Sequence, residues 1–185
     1  GEIIVSHTGT NLVYYTRENK GEGEWQGPNE IPNPYDLGAP NSEMTWPRVV
    51  TTGPNHDIIH VMAAASDDDG VYLFYSKSTD GENWTTTFVP TLDETERTKY
   101  SADSYVMAAN GDNVAIMLLS IMGHGYIIKS TDNGETWTKM KFWDNPYGDY
   151  DWETDENSLF GHSDDITIDD VEQYGPELGT ICIDN

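Results

Sequence analysis

The sequence predicts an all-β chain of four-stranded antiparallel blades, the pattern of a β-propeller, and three observations carry that prediction. A strand, a Ser-Thr-Asp turn, a glycine and a tryptophan recur in the same order. Residues 70–84 and 125–137 both read this way, with Trp84 and Trp137 53 positions apart, and a weaker copy over residues 11–25 sets Trp25 59 positions before Trp84. The segments between these copies match as well: residues 46–52, a Gly53-Pro-Asn turn and residues 57–64 correspond to residues 104–109, an Asn110-Gly-Asp-Asn turn and residues 114–119. Runs rich in Val, Ile, Tyr and Phe, punctuated by Gly, Asn and Asp, then favour strand over helix throughout, and no helical period of useful length appears.

The elements follow in order. Residues 1–31 form an incomplete blade. Residues 46–90 form a full one, with strands near Val49, Ile59, Leu73 and Phe88, and residues 103–143 form the next, with strands near Val106, Ile116, Ile127 and Met140. Ile166-Thr-Ile and Thr180-Ile-Cys-Ile begin a further blade over 164–185. The second strands, 58–65 and 114–119, are apolar on consecutive residues, which requires both faces to be buried and the sheets to stack. About three to three and a half blades are present, part of a six- or seven-bladed ring whose other blades come from the same polypeptide or from a second chain. The opening at Gly1, without methionine or a signal-type segment, reads as part of a longer polypeptide.

Charge narrows the partners. The chain carries 33 acidic against 9 basic groups, a net charge of −24. It repels phosphate backbones and anionic lipid, so nucleic acid is not expected as a partner. The longest apolar run, over residues 114–122, is about nine residues against the ~20 of a spanning helix, so membrane insertion is not expected either. An 11% aromatic content fits a folded domain with an acidic exterior. Cys182 is the single cysteine, which excludes an intrachain disulfide and leaves the redox compartment open. His7, His56, His60, His124 and His162 lack zinc-ligand spacing, and no GxSxG, phosphate loop or CxxC is present.

The segment Ser130-Thr-Asp-Asn-Gly-Glu-Thr-Trp137 matches SxDxGxTW at every fixed position, and Ser78-Thr-Asp-Gly-Glu-Asn-Trp84 matches a version one residue shorter. These resemble the Asp boxes, or BNR repeats, of sialidase-like β-propellers. Physically such a segment is a hairpin: Ser and Asp side chains accept turn amides, glycine takes a positive φ, and the tryptophan folds back over the hairpin base. The resemblance implies that Ser78, Asp80, Gly81, Trp84, Ser130, Asp132, Gly134 and Trp137 are structural and lie away from the ligand face. For a catalytic sialidase it implies three converging arginines, a Tyr/Glu pair and an acid/base Asp. This chain has Arg17, Arg48 and Arg97 only, and reads Trp46-Pro-Arg-Val where the family carries Arg-Ile-Pro. The expected function is a non-catalytic, secreted or cell-surface module of bacterial type that binds glycan or an extracellular protein. The alternative is a sialidase-type exo-glycosidase with catalytic groups partly outside this segment.

Ligand contact is expected on the loops opposite the hairpins: 32–45, 90–102 and 144–165, with the tight loops 7–10, 66–70 and 122–125. Long ordered loops are more often functional than connections require. The candidate ligand-binding residues are Arg48, Asp103, Trp143, Tyr147, Tyr150 and Trp152, where aromatic faces and polar rims suit a sugar ring. Packing on the blade edge is the other role open to these aromatics, and pairing with nearby carbonyls or carboxylates is the other role open to Arg48. No cofactor is expected. Asp149, Asp151, Glu153 and Asp155 alternate, so in an extended segment they share one side and would suit calcium, although the EF-hand pattern fails there.

Overall fold

The computed structural model describes residues 2–8, 11–18, 21–32, 43–67, 70–97, 99–100, 104–120, 122–145, 148–149 and 183. These residues are all-β apart from one short helix. The first sheet has three strands, β1 (Glu2–Thr8), β2 (Asn11–Arg17) and β3 (Gln26–Ile31). The middle sheet has four, β4 (Glu43–Thr52), β5 (Ile58–Asp67), β6 (Gly70–Ser78) and β7 (Trp84–Phe88). After the helix α1 (Glu94–Arg97) comes a second four-stranded sheet of β8 (Tyr105–Asn110), β9 (Asn113–Leu118), β10 (Gly125–Ser130) and β11 (Thr138–Trp143). Each sheet is an antiparallel meander with its strands in chain order. The strands expected near Val49 to Phe88 and near Val106 to Met140 are therefore present as two four-stranded sheets.

Local chemistry sets the turns. Gly111 takes φ 59° at the first central position of the two-residue β8–β9 turn, where a type II′ hairpin favours glycine. Strand β4 begins at Glu43, earlier than the sequence reading placed it. Trp46 has φ 55° and Pro47 has no N–H to donate, so the register slips between Thr45 and Arg48 while pairing with β5 continues on both sides. Helix α1 is closed by a reciprocal cap: Glu96 N–H donates to Asp93 Oδ1 at 2.9 Å, and Asp93 N–H donates to Glu96 Oε2 at 3.0 Å.

The core lies between the sheets. Alternate residues of β5 and β6 point to opposite faces, so Ile59, Val61, Ala63, Ala65 and Phe74 meet Leu12, Tyr14 and Ile31 of the first sheet. Met62, Ala64, Leu73 and Tyr75 meet Tyr105, Ile116, Leu118, Tyr126 and Ile128 of the third. The consecutive apolar run of β5 is thus buried on both sides, as its sequence requires. Among the described residues no helix is long and apolar enough to cross a membrane. Of the expected 164–185 element only Ile183 lies within the described residues.

One polar group is built into this layer. His60 is fully buried, its Nε2 2.7 Å from Thr52 Oγ1 and its Nδ1 2.6 Å from the Tyr75 hydroxyl. Burial, with the Lys77 charge acting in the same direction, lowers its pKa from 6.5 to about 4. The unfolded chain therefore takes up this proton first. The stabilisation is complete above pH 6.5 and is lost as pH falls toward 4, by up to about 3 kcal/mol. The His60 Cε1 proton resonance should stay at its neutral position from pH 8 down to 5.5, and a midpoint near 6.5 would refute this.

Candidate functional site

The two ends of the sheets differ in chemistry. At the hairpin end, Ser78 Oγ accepts the Gly81 amide at 2.9 Å, and Asp80 Oδ1 accepts the amides of Glu82 and Asn83 at 2.9 and 2.7 Å. The second copy repeats this: Ser130 Oγ accepts Gly134 N–H at 2.8 Å, and Asp132 accepts the Thr136 amide at 2.9 Å and its hydroxyl at 2.6 Å. Gly81 and Gly134 take φ 76° and 78°. Both carboxyls are held well below the usual carboxylate range, Asp80 chiefly by Asn83 and Asp132 chiefly by Thr136. The Asp80 and Asp132 carboxylates are thereby engaged within their own turns.

The hairpin tryptophans lean on the neighbouring sheet. Trp137 meets Tyr75 edge-on at 5.1 Å and donates from Nε1 to Gly134 O at 3.2 Å. Trp84 lies 5.2 Å from Tyr14, but its buried Nε1 has no partner among the described residues. The first copy, with neither Ser nor Asp, is closed instead by an Arg17–Glu2 ion pair of 2.5 Å, with Arg17 4.5 Å over the half-exposed Trp25. A cleft of about 1070 Å³ opens beside it between the first two sheets.

At the opposite end of the third sheet, side chains from four segments converge on His124. The β9–β10 loop holds this residue between two glycines, and its ring is almost fully buried. Nε2 lies 2.9 Å from Asp149 Oδ1, and Nδ1 accepts the Asn145 amide at 3.1 Å. Asp144, also 3.1 Å from Nδ1, is answered by Lys141 at 2.8 Å. Lys99 donates to Gly148 O, Tyr100 donates to His124 O at 2.6 Å, and Asn145 Nδ2 donates to Gly123 O at 3.1 Å. Lys139 holds Glu96 of α1 at 2.5 Å and lies 4.7 Å over the Tyr126 ring, which stands edge-on to His124.

The electrostatics follow from these contacts. The His124 hydrogen bond keeps the Asp149 carboxyl below the ordinary range, and Lys141 does the same for Asp144. Burial alone would raise Glu96, but hydrogen bonds from Lys139 and Tyr126 outweigh it. Burial, reinforced by Glu96, pushes the Tyr126 and Tyr100 phenols up, so both remain donors at neutral pH. The surface of this end therefore carries the Asp144 and Asp149 carboxylates and the Lys141 ammonium beside Trp143, which closes β11 opposite Gly125, while Lys99, Tyr100 and Tyr126 are buried beneath. Hydroxyl-rich ligands use this combination of hydrogen-bonding groups.

Of the expected ligand residues, Arg48 and Trp143 are described; Asp103, Tyr147, Tyr150 and Trp152 lie outside the described residues. The structure does not bring Arg48 and Trp143 together. Arg48 stacks 5.7 Å over Tyr105 of β8, whereas Trp143 is on β11, the opposite edge of that sheet and about 14 Å away at normal strand spacing. Arg17 and Arg97 are engaged elsewhere, over Trp25 and over Phe88 at 4.3 Å. Of the calcium candidates Asp149 is bound to His124, and Asp151, Glu153 and Asp155 lie outside the described residues. No group of three or more metal-ligating side chains occurs among the described residues. The His124 cluster was not expected from sequence; the signal was a histidine set between two glycines in a tight loop.

No family model matches the chain, and no curated protein or solved structure matches it. The geometry defines an all-β protein of stacked antiparallel sheets, with self-satisfied hairpins at one end and a polar, aromatic-edged cluster at the other.

The hairpins yield a stability comparison. Trp137→Phe removes a satisfied indole donor, while Trp84→Phe removes a buried unpaired one, so the second substitution should be milder by about 1 kcal/mol in urea unfolding. An equal or larger loss at Trp84 would show that its indole N–H has a partner after all.

Proposed function

We propose that the chain forms part of a sialidase-like β-propeller, secreted or displayed at a cell surface, that serves as a non-catalytic binding or scaffold module for a glycan or an extracellular protein. The two four-stranded sheets then count as blades and the three-stranded sheet as an incomplete one. Two Ser-Asp hairpins of Asp-box form, at equivalent places on successive stacked sheets, support the architecture. The single observation that carries the functional reading is the His124 cluster with Trp143 at the loop end. It gathers hydrogen-bonding groups from four segments beside an aromatic side chain, whereas the Ser and Asp side chains of the two hairpins are engaged within their own turns.

Binding is favoured over the sialidase-type alternative by the arginines. Recognition of a sugar carboxylate needs guanidinium groups converging in one pocket. Here each stacks on a different ring: Arg17 on Trp25, Arg48 on Tyr105, Arg97 on Phe88.

A glycan array probed with the full chain should show bound carbohydrate, and Trp143→Ala should weaken that binding by about tenfold, near 1.4 kcal/mol. Asp132→Asn, at the other end, should leave affinity unchanged while lowering stability. Turnover of a fluorogenic sialoside would overturn the non-catalytic reading, and unchanged binding by Trp143→Ala would move the site elsewhere.

A further inference from the structure

The two seams of the stack are built from equivalent residues but close differently. Strand β2 and its hairpin run to Trp25 at the same spacing as β6 and its hairpin run to Trp84, so Thr16 stands where Tyr75 does and Glu18 where Lys77 does. The facing Ser-Asp turns match as well, with Gly81 and Glu82 in the places of Gly134 and Glu135. The seam between the middle and third sheets is filled. A Cβ on Gly134 would come within 2.5 Å of the Tyr75 hydroxyl, and Lys77 pairs with Glu135 at 2.5 Å. The seam between the first and middle sheets is open. A Cβ on Gly81 would have only Ile59 of its own sheet within 4 Å, at 3.8 Å, and Glu18 and Glu82 both line the cleft of about 1070 Å³. Threonine in place of tyrosine leaves the space, and glutamate in place of lysine leaves Glu82 without the cation that Glu135 has.

The rest of the lining shows what complements this cleft. Among the described residues Glu18, Glu82, Glu24 and Asp57, all on its walls, have no ion-pair partner, and the one arginine there, Arg17, is bound to Glu2. Arg17 also lies 4.5 Å over the Trp25 ring, so the cleft already holds one cation between a carboxylate and this indole. Trp25 remains 38% exposed and Ile4 49% exposed, which adds apolar surface to the acidic walls. We propose that the cleft binds a basic peptide segment of a protein partner, with a lysine ammonium between Glu18 and Glu82 in the role Lys77 plays toward Glu135. The lysine stem and an apolar neighbour then cover Trp25 and Ile4. The volume is larger than one linear amine fills, and the apolar part of the lining calls for side chains that a free oligoamine lacks. A net charge of −24 steers a basic partner inward. The site lies at the hairpin end, away from the His124 cluster, so it is independent of the glycan reading.

A capped pentapeptide of alternating leucine and lysine is the probe, titrated into the full chain at about 0.15 M salt, where charges more than about 8 Å apart are screened. It should bind saturably and shift the tryptophan emission, and the shift should be lost in Trp25→Phe. Glu18→Gln and Glu82→Gln should each weaken binding about tenfold. Glu94→Gln removes the same charge from the exposed start of α1 and should leave affinity unchanged. Glu18→Lys supplies the missing cation from within the chain, at an exposed position, and should abolish binding with the near-ultraviolet circular dichroism unchanged. Binding that persists in Glu18→Lys, or that falls as far in Glu94→Gln as in Glu82→Gln, would overturn the proposal. Spermidine held as tightly as the peptide, with the same dependence on Glu82, would overturn it in favour of a free oligoamine.

Discussion

Burial of the middle sheet on both faces is the constraint on which the rest depends. A strand such as β5, apolar at every position from Val61 to Ala65, has no side to offer to water, so a layer must lie on each side. Its small residues, Ala63, Ala64 and Ala65, let both layers approach, and the larger Phe74 and Tyr75 of β6 fill opposite gaps. Once this sandwich exists, the first and third sheets are placed relative to each other through it.

The hairpins are the seams of that stack. Each Ser-Asp turn satisfies its own amides, which leaves the tryptophan to pack outward on the preceding sheet: Trp84 on Tyr14 and Trp137 on Tyr75. The second seam is the closer one. Gly134 is required there because its φ is positive and a Cβ would meet the Tyr75 hydroxyl, the same hydroxyl that is bonded to His60. Turn, ring and buried histidine thus form one contact, and a Gly53 N–H to Gly111 O bond of 3.1 Å ties the neighbouring β4–β5 and β8–β9 turns across the same seam.

Much of this was legible in the sequence, for physical reasons. Consecutive apolar residues announced strands buried on two sides, and the Ser-x-Asp spacing announced turns whose hydrogen bonds close within seven or eight residues. What was not legible depended on distant partners or on which edge a strand occupies. The start of β4 at Glu43 was missed because Trp46-Pro47 reads as a strand boundary when it is a bulge within one. Trp143 and Arg48 look adjacent when loops are assigned to one face, yet the meander order puts β11 and β8 at opposite edges. His124 draws its surroundings from residues 96–100 and 141–149, a convergence no local pattern encodes.

Charge explains why the two ends behave differently. With acids outnumbering bases by 33 to 9, most carboxylates have no cation available and must be satisfied by amides, hydroxyls or water. Asp80 and Asp132 take the first solution within their own turns. At the loop end three of the nine cations are engaged: Lys141 answers Asp144, Lys139 answers Glu96, and Lys99 binds a backbone carbonyl beside His124. A surplus of carboxylates held close to ammonium groups keeps that end polar, ordered and rich in donors while the molecule as a whole stays strongly anionic. An uncharged, hydroxyl-bearing ligand can approach such a surface without the long-range repulsion that a polyanion would meet.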